Sequence, residues 1–275
     1  MAMTFNTYAR NNETRKYVKR IKNAGKTLDA FSVLDIDNFV TGCKDLGVWN
    51  NMVCWPLRST QNTGTNTAFS LGGLGTFDGN LVNGPTWGTN GVNADNDGNI
   101  WGGGKYIEVN SPELRRGSVI QFSKIISDGG GYSSYFGFGG AGMDGVIIHV
   151  SSGGGRGFGV TKPYLNISNS FSSNGNNFFC QIYRGSSTGT LFTARTIGGS
   201  NVTISGDLIS LSGTSNLFVF PGGYFPQAGI PEYVVKPLGL EISATLAFTQ
   251  PLTNNNENLI YSLYKSTLGK GLGLP

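Results

Sequence analysis

The chain has 275 residues and a formal charge of +4, with 38% hydrophobic, 12% aromatic and only 13% charged residues. That apolar content builds a core and argues against disorder, while the 43 glycines, more than twice the usual share, follow no three-residue period and so exclude collagen. No apolar run approaches the ~18 residues of a bilayer-spanning helix, which leaves turn-rich β structure around one main core.

The first residues, MAMTFNTYARNNE, lack the apolar centre of a secretory signal. Three cysteines, Cys43, Cys54 and Cys180, form no CxxC pair and no disulfide framework. Synthesis in a reducing cytoplasm is expected. In ETRKYVKRIKNAGK, Tyr17, Ile21 and Ala24 recur at helical spacing among cations, so a first amphipathic helix ends at Gly25. Met1 to Leu28 holds seven basic residues against one acidic residue, Glu13, and the remainder of the chain is slightly acidic. Arg15, Lys16, Lys19, Arg20 and Lys22 are therefore candidate anchoring cations for an acidic partner, and a solvated helix face is the plain alternative.

A second helix follows in LDIDNFVTGCKDLGVW, where Ile36, Phe39, Val40, Cys43 and Leu46 make an apolar stripe. Asp35 or Asp37 is the expected cap, Gly47 the expected end, and Cys43 a packed thiol rather than a reactive one. After Trp49 the period changes. MVCWPL reads as a first buried strand, and beyond Ser59 short apolar or alternating runs are parted by Gly, Asn, Ser and Asp. The expected strands are KYIEV, SVIQFSKI, SSYFGFGG, GVIIHVS, RGFGVTK, NFFCQIYRG, TLFTARTI, NLFVFPG and LEISATLAFT. This spacing predicts a mainly β fold, an antiparallel β-sandwich or jelly roll, with no helix from Lys105 to Thr249. TNNNENLIYSLYKSTLGKG then predicts a closing helix, with Asn254 as cap, Glu257 three residues on, Leu259, Ile260, Leu263 and Leu268 on one side, and Gly269 as stop.

Two blocks carry a resemblance. YVKRIKNAGKTLD, continuing into IDNFVTGCKDLGVWNNMVCWPL, is similar to a helical leader of phage structural proteins, with an N-F-V-x-G-x-K-x-x-G-x-W helix entering the first strand. LEISATLAFTQPLTNNNENLIYSLY resembles the closing strand and helix of laminin-G-like, concanavalin A-like lectin domains. The resemblance covers about a quarter of the chain. It implies a bacteriophage virion protein of capsid-decoration, head-fibre or tail-associated type, sometimes recognising glycans, and implies no catalytic site. Where relatives have an F-D-G-x-x-D-Y turn, this chain reads NADNDGNIWGGGKYI, so no ligand role transfers to that turn.

The residues themselves hold few catalytic patterns. Asn93, Asp95, Asp97 and Gly98 match the first, third, fifth and sixth positions of a calcium loop, but Gly104 stands where the bidentate glutamate belongs. A looser calcium site on Asp95 and Asp97 competes with ordinary Asx-turns. Gly72 to Gly79 and Ser151 to Gly159 are glycine-rich but lack the GK[ST] ending of a phosphate loop. The one histidine, His149, lies in an alternating strand. Asp128, Asp144, Glu108 and Glu241 are the carboxylates a glycosidase would need, and nothing in the sequence pairs them. No cofactor is expected beyond that calcium.

Trp87, Trp101, Tyr132 and Tyr135 lie in or beside Gly/Ser/Asn-rich turns, where rings could stack on a sugar or fill the space between sheets. Trp87, close after Pro85, also suits a turn anchor. The expected organisation is a helical anchoring segment over residues 1–50 and a laminin-G-like sandwich over 51–275. The expected role is a non-enzymatic virion structural protein acting by adhesion and homo-oligomerisation, a trimer being one form, on a major capsid or tail protein. A lectin module for host-surface glycans is the alternative. Membrane is not an expected partner, and nucleic acid is not favoured.

Overall fold

A computed structural model describes residues 9–94, 105–111, 114, 117–127, 133–138, 146–150, 157–162, 165–170, 177–185, 191–197, 202–205, 217–220, 223–227, 230–237 and 239–275. The first helix, α1 (Asn12–Asn23), buries Tyr17 and Ile21, and its terminus turns on Gly25 at φ +88°. Gly25 N–H donates to Lys22 O and Lys26 N–H to Ile21 O, which satisfies two orphan carbonyls in a Schellman motif. The second helix, α2 (Ala30–Asp45), ends the same way, with Gly47 at φ +70° and Val48 N–H on Cys43 O.

The start of α2 differs from the expected cap at Asp35 or Asp37. Asp29 caps it, its carboxylate accepting from Ser32 N–H at 2.9 Å. Asp37 instead sits buried inside α2 and accepts the backbone N–H groups of Arg10 and Asn11 at 3.1 and 2.9 Å. Asn11 makes no side-chain cap of its own, so α2 supplies the acceptor at the α1 N-terminus, where a negative charge also suits the dipole.

A 3₁₀ turn (Trp49–Asn51) leads into β1 (Met52–Pro56). There follow β2 (Thr67–Ala68), β3 (Gly79–Val82), β4 (Thr86–Trp87), β5 (Val92–Ala94), β6 (Tyr106–Asn110), β7 (Ser118–Ser127), β8 (Ser133–Phe138) and β9 (Val146–Val150). The rest are β10 (Gly157–Lys162), β11 (Leu165–Ser170), β12 (Phe179–Gly185), β13 (Leu191–Thr196), β14 (Val202–Ser205), β15 (Leu217–Phe220), β16 (Gly223–Gln227), β17 (Ile230–Pro237) and β18 (Gly239–Phe248). The chain closes with α3 (Asn254–Ser266). All the expected strands form.

Two sheets face each other. The first runs β14-β13-β12-β7-β18-β5-β4, with β1 also on β18; the second runs β11-β10-β9-β8-β15-β6-β3-β2, with β17 on β8 and β16 on β17. Among the described strands all pairings are antiparallel except β17 on β8. β18 carries β7 along one edge and divides the other between β1 at Ala244–Phe248 and β5 at Leu240–Ile242. The fold is a β-sandwich.

Strand alternation sorts side chains into two cores. Val53 and Trp55 of β1 turn toward the second sheet, where Trp55 meets Phe218 and Phe220 with ring centroids 5.7 and 5.3 Å away. Met52 and Cys54 turn the other way, under the helices. The helices bury Tyr17, Ile36, Phe39, Ile260 and Tyr264 against Ile120, Phe122, Ile182, Leu246 and Phe248 on the outer face of the first sheet. Phe122 and Tyr264 stack at 3.6 Å. Residues 1–50, expected as an anchoring segment, thus contribute α1 and α2 to a layer packed on the sandwich, and Cys43 is a packed thiol whose acidity burial suppresses.

α3 is capped by Thr253, not Asn254, through Asn256 N–H at 3.2 Å. Its buried stripe is Glu257, Ile260, Tyr261 and Tyr264, which leaves Leu259 exposed, contrary to the expected stripe. Glu257 is fully buried and pairs with Arg184 of β12 at 2.6 Å, the guanidinium Nε donating at 2.8 Å. Arg184 keeps 24% of its side chain in solvent and Glu257 none. Arg184→Ala strands the buried carboxylate and is expected to cost about 3–5 kcal/mol, more than Glu257→Ala, in denaturant titrations. A Cβ at Gly117 would stand 1.6 Å from Phe248 O. Gly117→Ala must therefore push apart β7 and β18, and a fall in melting temperature larger than that of an exposed Gly→Ala is the expected result.

Candidate functional site

The helical layer covers only part of the outer face of the first sheet. Along β18 the outward residues Phe248, Leu246 and Ala244 are apolar and lie under helices; along β7 so do Ile120 and Phe122. Then the pattern turns polar. A register shift between Ile242 and Ala244 marks the border, and the displaced Ser243 hydroxyl lies 2.8 Å from the Tyr264 hydroxyl. Past it, Lys124 of β7 pairs with Glu241 of β18, Glu241 with Asn93 of β5, and Asn93 with Thr86 of β4. Four adjacent strands thus present cation, carboxylate, amide and hydroxyl in one cross-strand row. Their neighbours Ile125, Leu240, Ile242 and Val92 point inward, which fixes the row on the outer face.

Thr86 is exposed, and Lys124, Glu241 and Asn93 are half-buried. Burial pushes the Glu241 carboxyl above its usual range, with Lys124 partly opposing the shift. Glu241 lies against the turn after β4, where a Cβ at Gly88 would stand 3.7 Å from its Oε1. Gly91 closes the same turn by packing on the strand backbone: a Cβ there would meet Ile242 O at 2.3 Å. Arg58 fastens this turn to the C-terminal tail, donating to Thr89 O at 3.0 Å and to Leu268 O and Lys270 O at 2.9 and 2.8 Å. Its guanidinium is committed to carbonyls and leaves the row's charge to Lys124 and Glu241.

Of the aromatic platform read from the sequence, Trp101 and Tyr132 lie outside the described residues, and Tyr135 is placed in β8 by its backbone alone. Trp87 is half-buried against the inter-sheet core and donates its indole N–H to Thr65 O at 2.6 Å, the behaviour of a turn anchor. Asp95 and Asp97, the calcium candidates, lie outside the described residues, among which no cluster of three metal-ligating side chains occurs.

The anchoring cations divide. Arg20 pairs with Asp78, donates to Ser70 O and lies over the Phe69 ring, and Arg15 donates to Ala9 O and Arg10 O. Those two guanidinium groups hold the chain together. Lys16, Lys19 and Lys22 stay exposed on α1. The glycine-rich Gly72 to Gly79 serves packing: a Cβ at Gly72 would meet Met52 O at 2.3 Å, and its Asp78 accepts from Ser70 N–H at 2.9 Å. Glu108 and Glu241 occupy the outer faces of opposite sheets, so these two carboxylates do not flank one cleft. Asp128 and Asp144 lie outside the described residues, and His149 is placed in β9 by backbone only. The Lys124 to Thr86 row escaped sequence reading because its members are separated by up to 155 positions and meet only through register.

No protein-family model and no curated protein matches the chain. Solved structures do. The binding domain of botulinum neurotoxin serotype D superposes with a TM-score of 0.54 at 12% identity, over 78% of this chain and 52% of that one. A mutant Trypanosoma rangeli sialidase displaying trans-sialidase activity gives 0.56 at 12% identity, over 86% of this chain and 39% of that one. The same sialidase in complex with sialic acid gives 0.52. The chain spans about half or less of these structures' length, and what it shares with them is the β-sandwich fold.

The weakened acidity of the Glu241 carboxyl has a consequence for stability. A carboxyl raised on folding favours the protonated state, so its contribution to stability is full below the unfolded value near 4.5 and is lost as pH rises through the folded value. Glu241→Gln is expected to melt above the parent at pH 7, and the difference to shrink on acidification to pH 4.

Proposed function

We propose that the chain is a non-enzymatic, carbohydrate-binding β-sandwich. The observation supporting this most directly is the fold, which overlaps a toxin binding domain over 78% of the chain. A binding role also fits a described structure that presents a polar cross-strand row on an outer sheet face and keeps Glu108 and Glu241 on opposite sides. Glycan-array binding by the purified chain that is lost on Trp101→Ala or Tyr135→Ala would locate recognition on the aromatic turns. Turnover of any polysaccharide by pure protein, abolished on substituting Asp128 or Asp144, would overturn the non-enzymatic reading.

Carriage on a bacteriophage particle is the second reading, resting on the resemblance of the Tyr17 to Leu57 block. Phe31 is 82% exposed and Leu34 42% exposed on α2, and Lys16, Lys19 and Lys22 are exposed on α1, so the helical layer carries apolar and cationic groups outward. Such a surface suits self-association or a capsid or tail protein with acidic groups. Effective concentration on a particle would turn weak glycan contacts into firm attachment. Mass photometry should then show a multimer that Phe31→Asp dissociates; a monomer unaffected by that change would remove the self-association.

A further inference from the structure

We infer that the Lys124–Glu241–Asn93–Thr86 row is a subsite for the vicinal hydroxyls of a neutral sugar, and that its paired opposite charges select against carboxylate-bearing sugars. This deepens the carbohydrate-binding reading and rests on it. Lys124 and Glu241 are direct cross-strand partners, so their Cβ atoms lie about 5 Å apart on one face. Their charged groups do not close to an ion pair, and among the described residues Glu241 accepts no hydrogen bond although it is half-buried. Such a carboxylate has acceptor capacity that the described residues do not fill, and an ammonium beside it has donors to offer.

Adjacent ring hydroxyls satisfy both at once. One donates to Glu241, and its neighbour accepts from Lys124, each bond being assisted by the charge on the protein side. Asn93 and Thr86 continue the row with an amide and a hydroxyl, groups that adapt as donor or acceptor along a further sugar unit. Ile126, next along β7 on the same outer face and half-buried, supplies an apolar patch for the C–H side of a ring. Gly88, in the turn beside Glu241, bears no side chain at the point nearest that carboxylate. A sugar carboxylate placed here would gain Lys124 but face Glu241, and because Lys124 is already opposed by Glu241 across the strands, its attraction is offset by like-charge repulsion.

The experiment is a printed array of neutral and carboxylate-bearing oligosaccharides, followed by calorimetric titration of the strongest neutral hit. Parent protein, Glu241→Gln and Lys124→Met are compared, with melting curves to confirm that each folds. The parent should prefer neutral glycans, and both variants should lose at least about tenfold in affinity for them, the scale of one charge-assisted hydrogen bond. Glu241→Gln leaves Lys124 uncompensated and should gain binding to carboxylate-bearing glycans, a change of preference that a structural role would not produce. Neutral-glycan binding unchanged in both variants would overturn the subsite and leave the carbohydrate-binding reading standing. Absence of any binding by the parent would overturn both.

Discussion

Burial of β18 on both faces is the constraint on which the rest of the architecture depends. Nine of its ten residues are buried, alternating between the inter-sheet core and the helical core. A strand in that position cannot face water on either side, so the chain must furnish cover twice. The second sheet covers one face. The other is covered by α1, α2 and α3, whose combined apolar stripes meet Ala244, Leu246 and Phe248. The helices α1 and α2 of the segment expected to anchor the chain thus form part of the roof of the central strand. Arg20 with Asp78 ties α1 to the sandwich, while Lys44 with Glu13 joins α2 to α1 and Lys270 with Asp35 joins the C-terminal tail to α2.

The irregularity at Ser243 sets where the roof ends. Without a register shift, outward positions would continue in step from Ala244 and the alternation would place Ile242 under the helices. The extra residue returns Leu240 and Ile242 to the inter-sheet core and turns Glu241 outward opposite Lys124. β-bulges commonly re-aim side chains in this way. Here the same irregularity gives Tyr264 a polar partner at the end of α3, so termination of the helix layer and emergence of the polar row have one cause.

Local elements were legible because their signals are local. Gly25 and Gly47 end helices through positive φ, and the apolar stripe of α2 was readable residue by residue. Caps were less so: three of the aspartates near α2 satisfy the same composition rule, and only tertiary contact separates Asp29, which caps α2, from Asp37, which serves α1. The short β2 to β5 hide among Gly, Asn and Thr because two to four residues offer too little alternation to see. Trp87 was readable as ring or anchor, and its bond to Thr65 O decides for anchor in this structure. Cross-strand partners such as Lys124 and Glu241 carry no signal in either segment alone, since register is a property of the assembled sheet.

Two glutamates show how the fold treats charge. Glu257 is removed from water entirely and receives Arg184 in return, so its carboxylate is a structural part of the α3 attachment. Glu241 is half removed and receives no hydrogen bond from the described residues, only a lysine at strand-pair distance. A glutamine there would fit the same space without the desolvation cost. In a chain whose surface relies on Asn, Ser and Thr and spends only 13% of its residues on charge, such a carboxylate works against folding. Positions that break a local rule without local compensation are where a sequence serves something other than stability. By that criterion the polar row of the outer sheet face, rather than its helix-covered end, is where the proposed sugar subsite would lie.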